Sequence, residues 1–168
     1  KNEIKTDLKF NGNDYIFTSK IINNDNINIF ESLVCKIDKL KLLYRMTRDG
    51  NNKQSIQNKI NRHSNIILLV KTEENKIFGG YTSCKIEYPD IMTSKEDKYD
   101  NDAYLFSIDL NQKFNIKENK VAIFEYNYYG IRFGNHELVI FDRQNKCYSN
   151  FGWEDSYYES NGITKEQF

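Results

Sequence analysis

Apolar residues at Ile27, Phe30, Leu33, Val34, Ile37 and Leu40 recur at helical spacing and predict an amphipathic helix laid against a sheet, with Asn28 and Glu31 as a candidate capping pair. Cys35 lies beside that stripe as a small buried filler. A second, shorter helix is predicted by Asn52 as its cap and Ile56 and Ile60 on one face, which turns Lys53, Lys59 and Arg62 to water. The pattern then changes period. Residues 66–70 are a continuous apolar run, residues 73–76 a polar turn, and Ile77, Gly79, Tyr81 alternate with Phe78, Gly80, Thr82, so a hairpin is expected. Two further strands are read at 104–110 and 121–128, and a third at 138–141, each alternating or apolar and separated by polar turns. A weaker hairpin is read around Asn11-Gly12-Asn13, between Leu8, Phe10 and Tyr15-Ile16-Phe17. Residues 87–102, which contain Pro89, carry no period and read as a long solvated loop. The fold class expected is therefore α+β and sheet-rich, an antiparallel β-sandwich flanked by two helices.

Composition narrows the classes. At 168 residues the chain makes a single domain. Its 24 basic and 24 acidic residues cancel, so no global field draws it to nucleic acid, and no apolar run is long enough for direct membrane insertion. Three cysteines at wide spacing suggest neither a disulfide framework nor a zinc site, and free thiols are expected. With no signal-like amino terminus and no Asn-x-Ser/Thr acceptor, the chain reads as cytoplasmic. The excess of Asn, Lys and Ile is ascribed to base composition of the genome.

Several side chains are candidates for chemistry. Gly79-Gly80 inside a strand predicts a bulge or the close approach of another backbone. Arg45, Arg48 and Asp49 at the end of an apolar run predict an ion-pair knot in preference to an anion site. Asp90, Glu96, Asp97, Asp100 and Asp102 lack the alternating ligand spacing of a calcium loop and read as a solvated acidic segment. His136 and Glu137, read on a strand, would point to opposite faces, so they form no acid/base pair by themselves. A dyad of His136 with Cys147 is the one arrangement that would serve an enzyme, with Cys147 otherwise an ordinary core thiol. Trp153, Tyr157 and Tyr158 either form an aromatic platform for a carbohydrate or peptide or cover the core. No phosphate cradle and no cofactor are implied.

Leu42-Leu43-Tyr44-Arg45, Arg48-Asp49-Gly50, the apolar run at 66–71 and Phe78-Gly79-Gly80-Tyr81-Thr82-Ser83 follow one another in an order that resembles the TLDc domain. Tyr99, Asp102 and Ala103-Tyr104-Leu105-Phe106-Ser107, then Tyr129-Gly130, Phe133-Gly134, His136 and Ser149-Asn150-Phe151-Gly152 resemble its later motifs, so the resemblance covers roughly 19–160. The closing strand usual in the family is not recognised in 162–168, and residues 1–18 lie outside the resemblance. An unfilled strand position would leave a sheet edge open to pairing. The resemblance implies a non-enzymatic protein-binding module of the oxidation-resistance type, docking as a monomer on the cytosolic sector of the vacuolar proton pump. It would then be peripheral to endolysosomal membranes through that partner. Arg45, Arg48, Asp97, Asp100 and Asp102 are the candidate partner contacts. A redox or hydrolytic enzyme and a carbohydrate- or peptide-binding sandwich remain the alternatives.

Overall fold

The computed structural model describes residues 19–34, 40–88, 95–152, 155–164 and 167–168. The amino-terminal hairpin, Cys35, Ile37, Pro89, Asp90 and Trp153 lie outside the described residues, as do the side chains of Lys95, Glu96 and Tyr126.

Among the described residues three helices precede the strands: α1 (Ile27–Val34), α2 (Met46–Asp49) and α3 (Lys53–Ile60). The eight strands among the described residues are β1 (Ile66–Lys71), β2 (Ile77–Thr82), β3 (Lys95–Lys98), β4 (Tyr104–Ser107), β5 (Gln112–Asn115), β6 (Ile123–Tyr126), β7 (Ile131–Phe133) and β8 (Leu138–Ile140). They form two antiparallel four-stranded sheets, in the orders β1-β2-β4-β5 and β3-β6-β7-β8.

The period-2 alternation of β2 explains the layering. Phe78 belongs to the core between the two sheets, with Leu105, Phe133, Ile123 and Leu138, and α3 adds Ile56 and Ile60 to it. Ile77 belongs to a second core on the outer face of the first sheet, where Phe30, Leu33 and Val34 of α1 meet Tyr104 and Phe106. Phe78 and Phe106 are buried as expected, whereas Tyr81 and Phe124 are half-buried beside the buried Thr82 and Ile123. An aromatic cluster of Phe78, Phe114, Phe151 and Phe168 fills the inter-sheet core, with the Phe151 and Phe168 rings stacked at 4.3 Å between centroids.

Gly79 and Gly80 leave the ladder unbulged, since both keep register with β1 and β4. A β carbon at Gly79 would lie 1.9 Å from the Leu68 carbonyl oxygen, so the close backbone approach is the correct one of the two readings.

Several expected boundaries move. The turn that leads into α1 is closed by Asn23, whose Oδ1 accepts from the Asp25 N–H at 2.9 Å while Asn26 Oδ1 reaches back to accept from the Asn23 N–H at 2.8 Å, so Asn28 lies inside the helix and caps nothing. The predicted cap of α3 holds: Asn52 Oδ1 accepts from the Ser55 N–H at 3.0 Å. The strand read over 104–110 stops at Ser107, because Asp109 turns back to accept the Ile77 N–H and Ser107 Oγ takes the Leu110 N–H at 3.3 Å. The chain then reverses into β5, and β3 crosses what was read as a loop.

Nine non-glycine residues among those described take positive φ, and six of them are asparagines: Asn65, Asn75, Asn111, Asn119, Asn145 and Asn161. Short amide side chains tolerate this left-handed conformation better than most, and here they close turns.

Candidate functional site

The first candidate surface is the strap that leads through α2. Arg48 grips the Asp49 carboxylate with two bonds, Nε to Oδ1 at 2.9 Å and NH2 to Oδ2 at 2.7 Å. The same carboxylate accepts the Arg45 N–H at 2.8 Å and faces Lys59 Nζ at 3.8 Å. This is the ion-pair knot expected from the sequence. The Arg48 fork, ahead of the Arg45 N–H and the nearby cations, draws the Asp49 carboxyl down to about 2. The Tyr44 hydroxyl donates to the Gly50 carbonyl oxygen and Arg48 NH2 to the Leu43 carbonyl oxygen, which ties the strap to itself at both ends. What the knot holds outward is apolar: Leu42 is 41% exposed and Met46 52%.

The second candidate surface is the acidic segment around β3. Asp97 and Asp102 are exposed, and between them Tyr99 is 66% exposed, the most open large apolar side chain among the described residues. Asp100 is different. It is buried, and its carboxylate accepts from Thr82 Oγ1 (2.7 Å), Ser83 N–H (2.7 Å) and Ser83 Oγ (2.8 Å), so the expectation of a uniformly solvated loop is wrong at this position. Burial works to raise the Asp100 carboxyl, but these bonds outweigh it and leave it below its ordinary value. Asp100 pins the end of β2 to the segment that opens β4.

The candidate dyad is not assembled. His136 sits with φ 70° in the turn between β7 and β8, not on a strand, and its Nε2 lies 3.3 Å from the Tyr129 hydroxyl, not against a thiol. Its ring stacks beside Tyr148, and burial followed by the Arg132 charge lowers its pKa, which favours the neutral imidazole. Cys147 is on an exposed residue, but it lines a groove of about 1720 Å³ whose walls include Tyr44, Leu43, Ile67, Leu69 and Phe141. Desolvation within that groove pushes its thiol up, and Tyr44 nearby is pushed up to about 12, first by desolvation and then by Cys147 and Asp49. Both shifts favour the protonated, unreactive form. Cys84 is likewise free and its thiol raised.

The burial of two carboxylates was not foreseen from the sequence. Glu125 is 1% exposed, accepts the Glu87 N–H at 2.9 Å and lies 3.8 Å from Lys98 Nζ. Its parity with Val121 and Ile123 was the available signal that it faces inward. Glu137, also 1% exposed, accepts the Tyr157 N–H through Oε1 while Oε2 has no hydrogen-bond partner, and burial raises its pKa. Tyr158 is fully buried, with its hydroxyl donating to the Ala122 carbonyl at 3.1 Å, so it covers the core and offers no aromatic platform. Tyr157 is half-buried under Lys120. Among the described residues no cluster of His, Cys, Asp or Glu is placed to hold a metal ion, and no helix is long and apolar enough to cross a membrane.

Two antiparallel sheets face to face, one helix against an outer face and charged and apolar groups held together on surface segments place this chain in the class of sheet-rich α+β domains. More specifically, it belongs to the TLDc domain family, whose model matches residues 15–168 and so takes in nearly the whole chain. No curated protein matches it.

Proposed function

We propose that this domain is a non-enzymatic protein-binding module of the oxidative-stress-resistance type that docks on the cytosolic sector of the vacuolar proton-pumping ATPase. Membership of the TLDc family supports the stress-resistance part of this reading. The observation that carries the binding part is where the large apolar side chains emerge. Leu42 and Met46 flank Arg45 and lead to Arg48, and Tyr99 stands between Asp97 and Asp102, so each exposed apolar anchor comes with charge beside it. A buried anchor ringed by steering charges is the usual anatomy of a docking site. The raised thiols, and a His136 ring set against the Tyr129 hydroxyl and not against a thiol, count against the enzyme alternative. On this reading the domain acts as a monomer in the cytoplasm and reaches endolysosomal membranes only through the pump.

The test is capture of the pump's cytosolic sector by the purified domain. Met46→Asp with Arg45→Glu on the strap, and Tyr99→Ser with Asp97→Lys on the acidic segment, should each weaken association about tenfold while leaving the fold intact. Unchanged association in both folded double variants would remove both surfaces from the reading.

A further inference from the structure

Four strands lie at sheet edges, and three are protected. β5 is covered by the carboxy-terminal segment, with the Glu159 N–H donating to the Asn115 carbonyl at 2.9 Å and the Lys117 N–H to the Tyr157 carbonyl at 2.8 Å. β8 is covered by Tyr148, which exchanges both backbone bonds with Val139. β3 reads Lys-Glu-Asp-Lys, a charged sequence of the kind that blunts an edge. β1 reads Ile-Ile-Leu-Leu-Val-Lys and has no such device among the described residues.

The ladder fixes which of its groups are open. The Ile77 carbonyl accepts from the Ile108 N–H and the Ile77 N–H donates to Asp109, so Ile77 turns both groups toward the β4 side. By alternation Phe78, Gly80 and Thr82 bond to their β1 partners Val70, Leu68 and Ile66. Ile67, Leu69 and Lys71 therefore point their N–H and C=O groups away from β2, where none has a hydrogen-bond partner among the described residues. Beside them runs the groove of about 1720 Å³, lined by both faces of β1. Among its described lining residues lysines and arginines outnumber carboxylates six to two, with Lys41 and Lys71 exposed.

We infer that the outer edge of β1 is a strand-addition site that takes an extended segment of a partner protein in which apolar residues alternate with Asp or Glu. The open ladder supplies the backbone bonds, the half-buried Ile67 and Leu69 supply apolar contact, and the basic rim selects the sign of the partner's charge. A second copy of this chain is the poorer occupant, because pairing β1 with β1 brings two basic rims together. The inference rests on the reading of the domain as a binding module and names one way in which it binds.

The probe is a blocked octapeptide alternating valine with glutamate, added to the full chain. Amide hydrogen exchange should slow at Ile67, Leu69 and Lys71 on peptide addition, and a valine–lysine octapeptide should have no effect. Leu69→Pro removes one outward N–H and leaves the β1–β2 bonds in place, since proline is tolerated where the N–H faces away from the ladder. It should lower peptide affinity about tenfold or more. If that variant does not fold, the octapeptide N-methylated at every second residue should show the same loss against the unaltered chain. Three results would overturn the inference: the three amides already slow without peptide at low protein concentration, peptide-independent protection that grows with concentration and so marks self-pairing, or binding indifferent to both Leu69→Pro and N-methylation. Capture of the pump sector is measured in parallel, and its persistence alongside any of those results leaves the docking reading standing while strand addition falls.

Discussion

A β carbon on Gly80 would stand 2.8 Å from the Phe133 ring, so this glycine is what lets a ring of the second sheet lie directly against the first. On the other face of the same strand, Gly79 is closed off by the Leu68 carbonyl oxygen and by Phe106. Gly80→Ala should cost about 1–3 kcal/mol, because Phe133 and Leu105 are side chains that can shift. Gly79→Ala should cost more, since a ladder carbonyl cannot move aside without breaking its strand. Urea denaturation of the two variants checks the order, and equal losses would contradict it.

The strap should respond to acid through Asp49. Its folded pKa of about 2 lies below the ordinary carboxylate value, so its contribution is complete above the unfolded pKa and is lost as pH falls from about 4 toward 2. Arg48→Ala removes the leading cause of the shift. Urea midpoints measured between pH 5 and 2 should therefore fall less steeply in Arg48→Ala than in the unaltered protein.

Glu137 should behave in the opposite sense. Its pKa is raised, so the folded state holds the proton more tightly, and stability falls as pH rises from the unfolded value through the folded one. Glu137→Gln keeps the shape and the bond from the Tyr157 N–H without a charge to bury. The variant should gain on the unaltered protein as pH rises from 4 to 8, and parallel pH profiles would show that the carboxyl titrates as if exposed.

If the domain acts by docking, Cys147→Ala and His136→Ala should leave pump association and protection against peroxide in cells unchanged. The first removes an exposed residue with a raised thiol, and the second loses the part-buried bond to Tyr129 and the ring contact with Tyr148, at about 1–2 kcal/mol. Thiol titration should find Cys84 and Cys147 slow to react at neutral pH. If either well-folded variant abolishes protection while association persists, a catalytic account replaces the docking one.

The parts of this fold that could be read in advance are those where one local rule acts alone. Asn52 was readable as a cap because its bond to Ser55 spans only three residues, and Gly79-Gly80 was readable because glycine inside a strand demands a neighbour. α1 was misread at its start because several asparagines could close it, and the reciprocal bonds of Asn23 and Asn26 place the entering turn ahead of Asn28. β3 and β5 carry too few apolar residues to show a period, since as edge strands they owe their conformation to β6 and β4. Of the candidate site, Arg48 with Asp49 was legible as neighbours in sequence. The inward turn of Asp100 was not, because the groups that hold it lie sixteen to eighteen residues away.

The asparagine turns have a mechanical consequence. Codons rich in A and T supply asparagine readily and glycine poorly, and a left-handed turn accepts either residue. Asparagine, however, brings an amide that glycine lacks. Asn145 Oδ1 accepts the Lys53 N–H at 3.2 Å and so latches the turn after β8 to the start of α3, while Asn161 Nδ2 donates to the Lys113 carbonyl at 3.2 Å and fastens the carboxy-terminal segment along β5. Exchanging these residues for glycine would keep every dihedral angle, yet it would remove one side-chain fastening from an edge that backbone bonds alone would then keep covered.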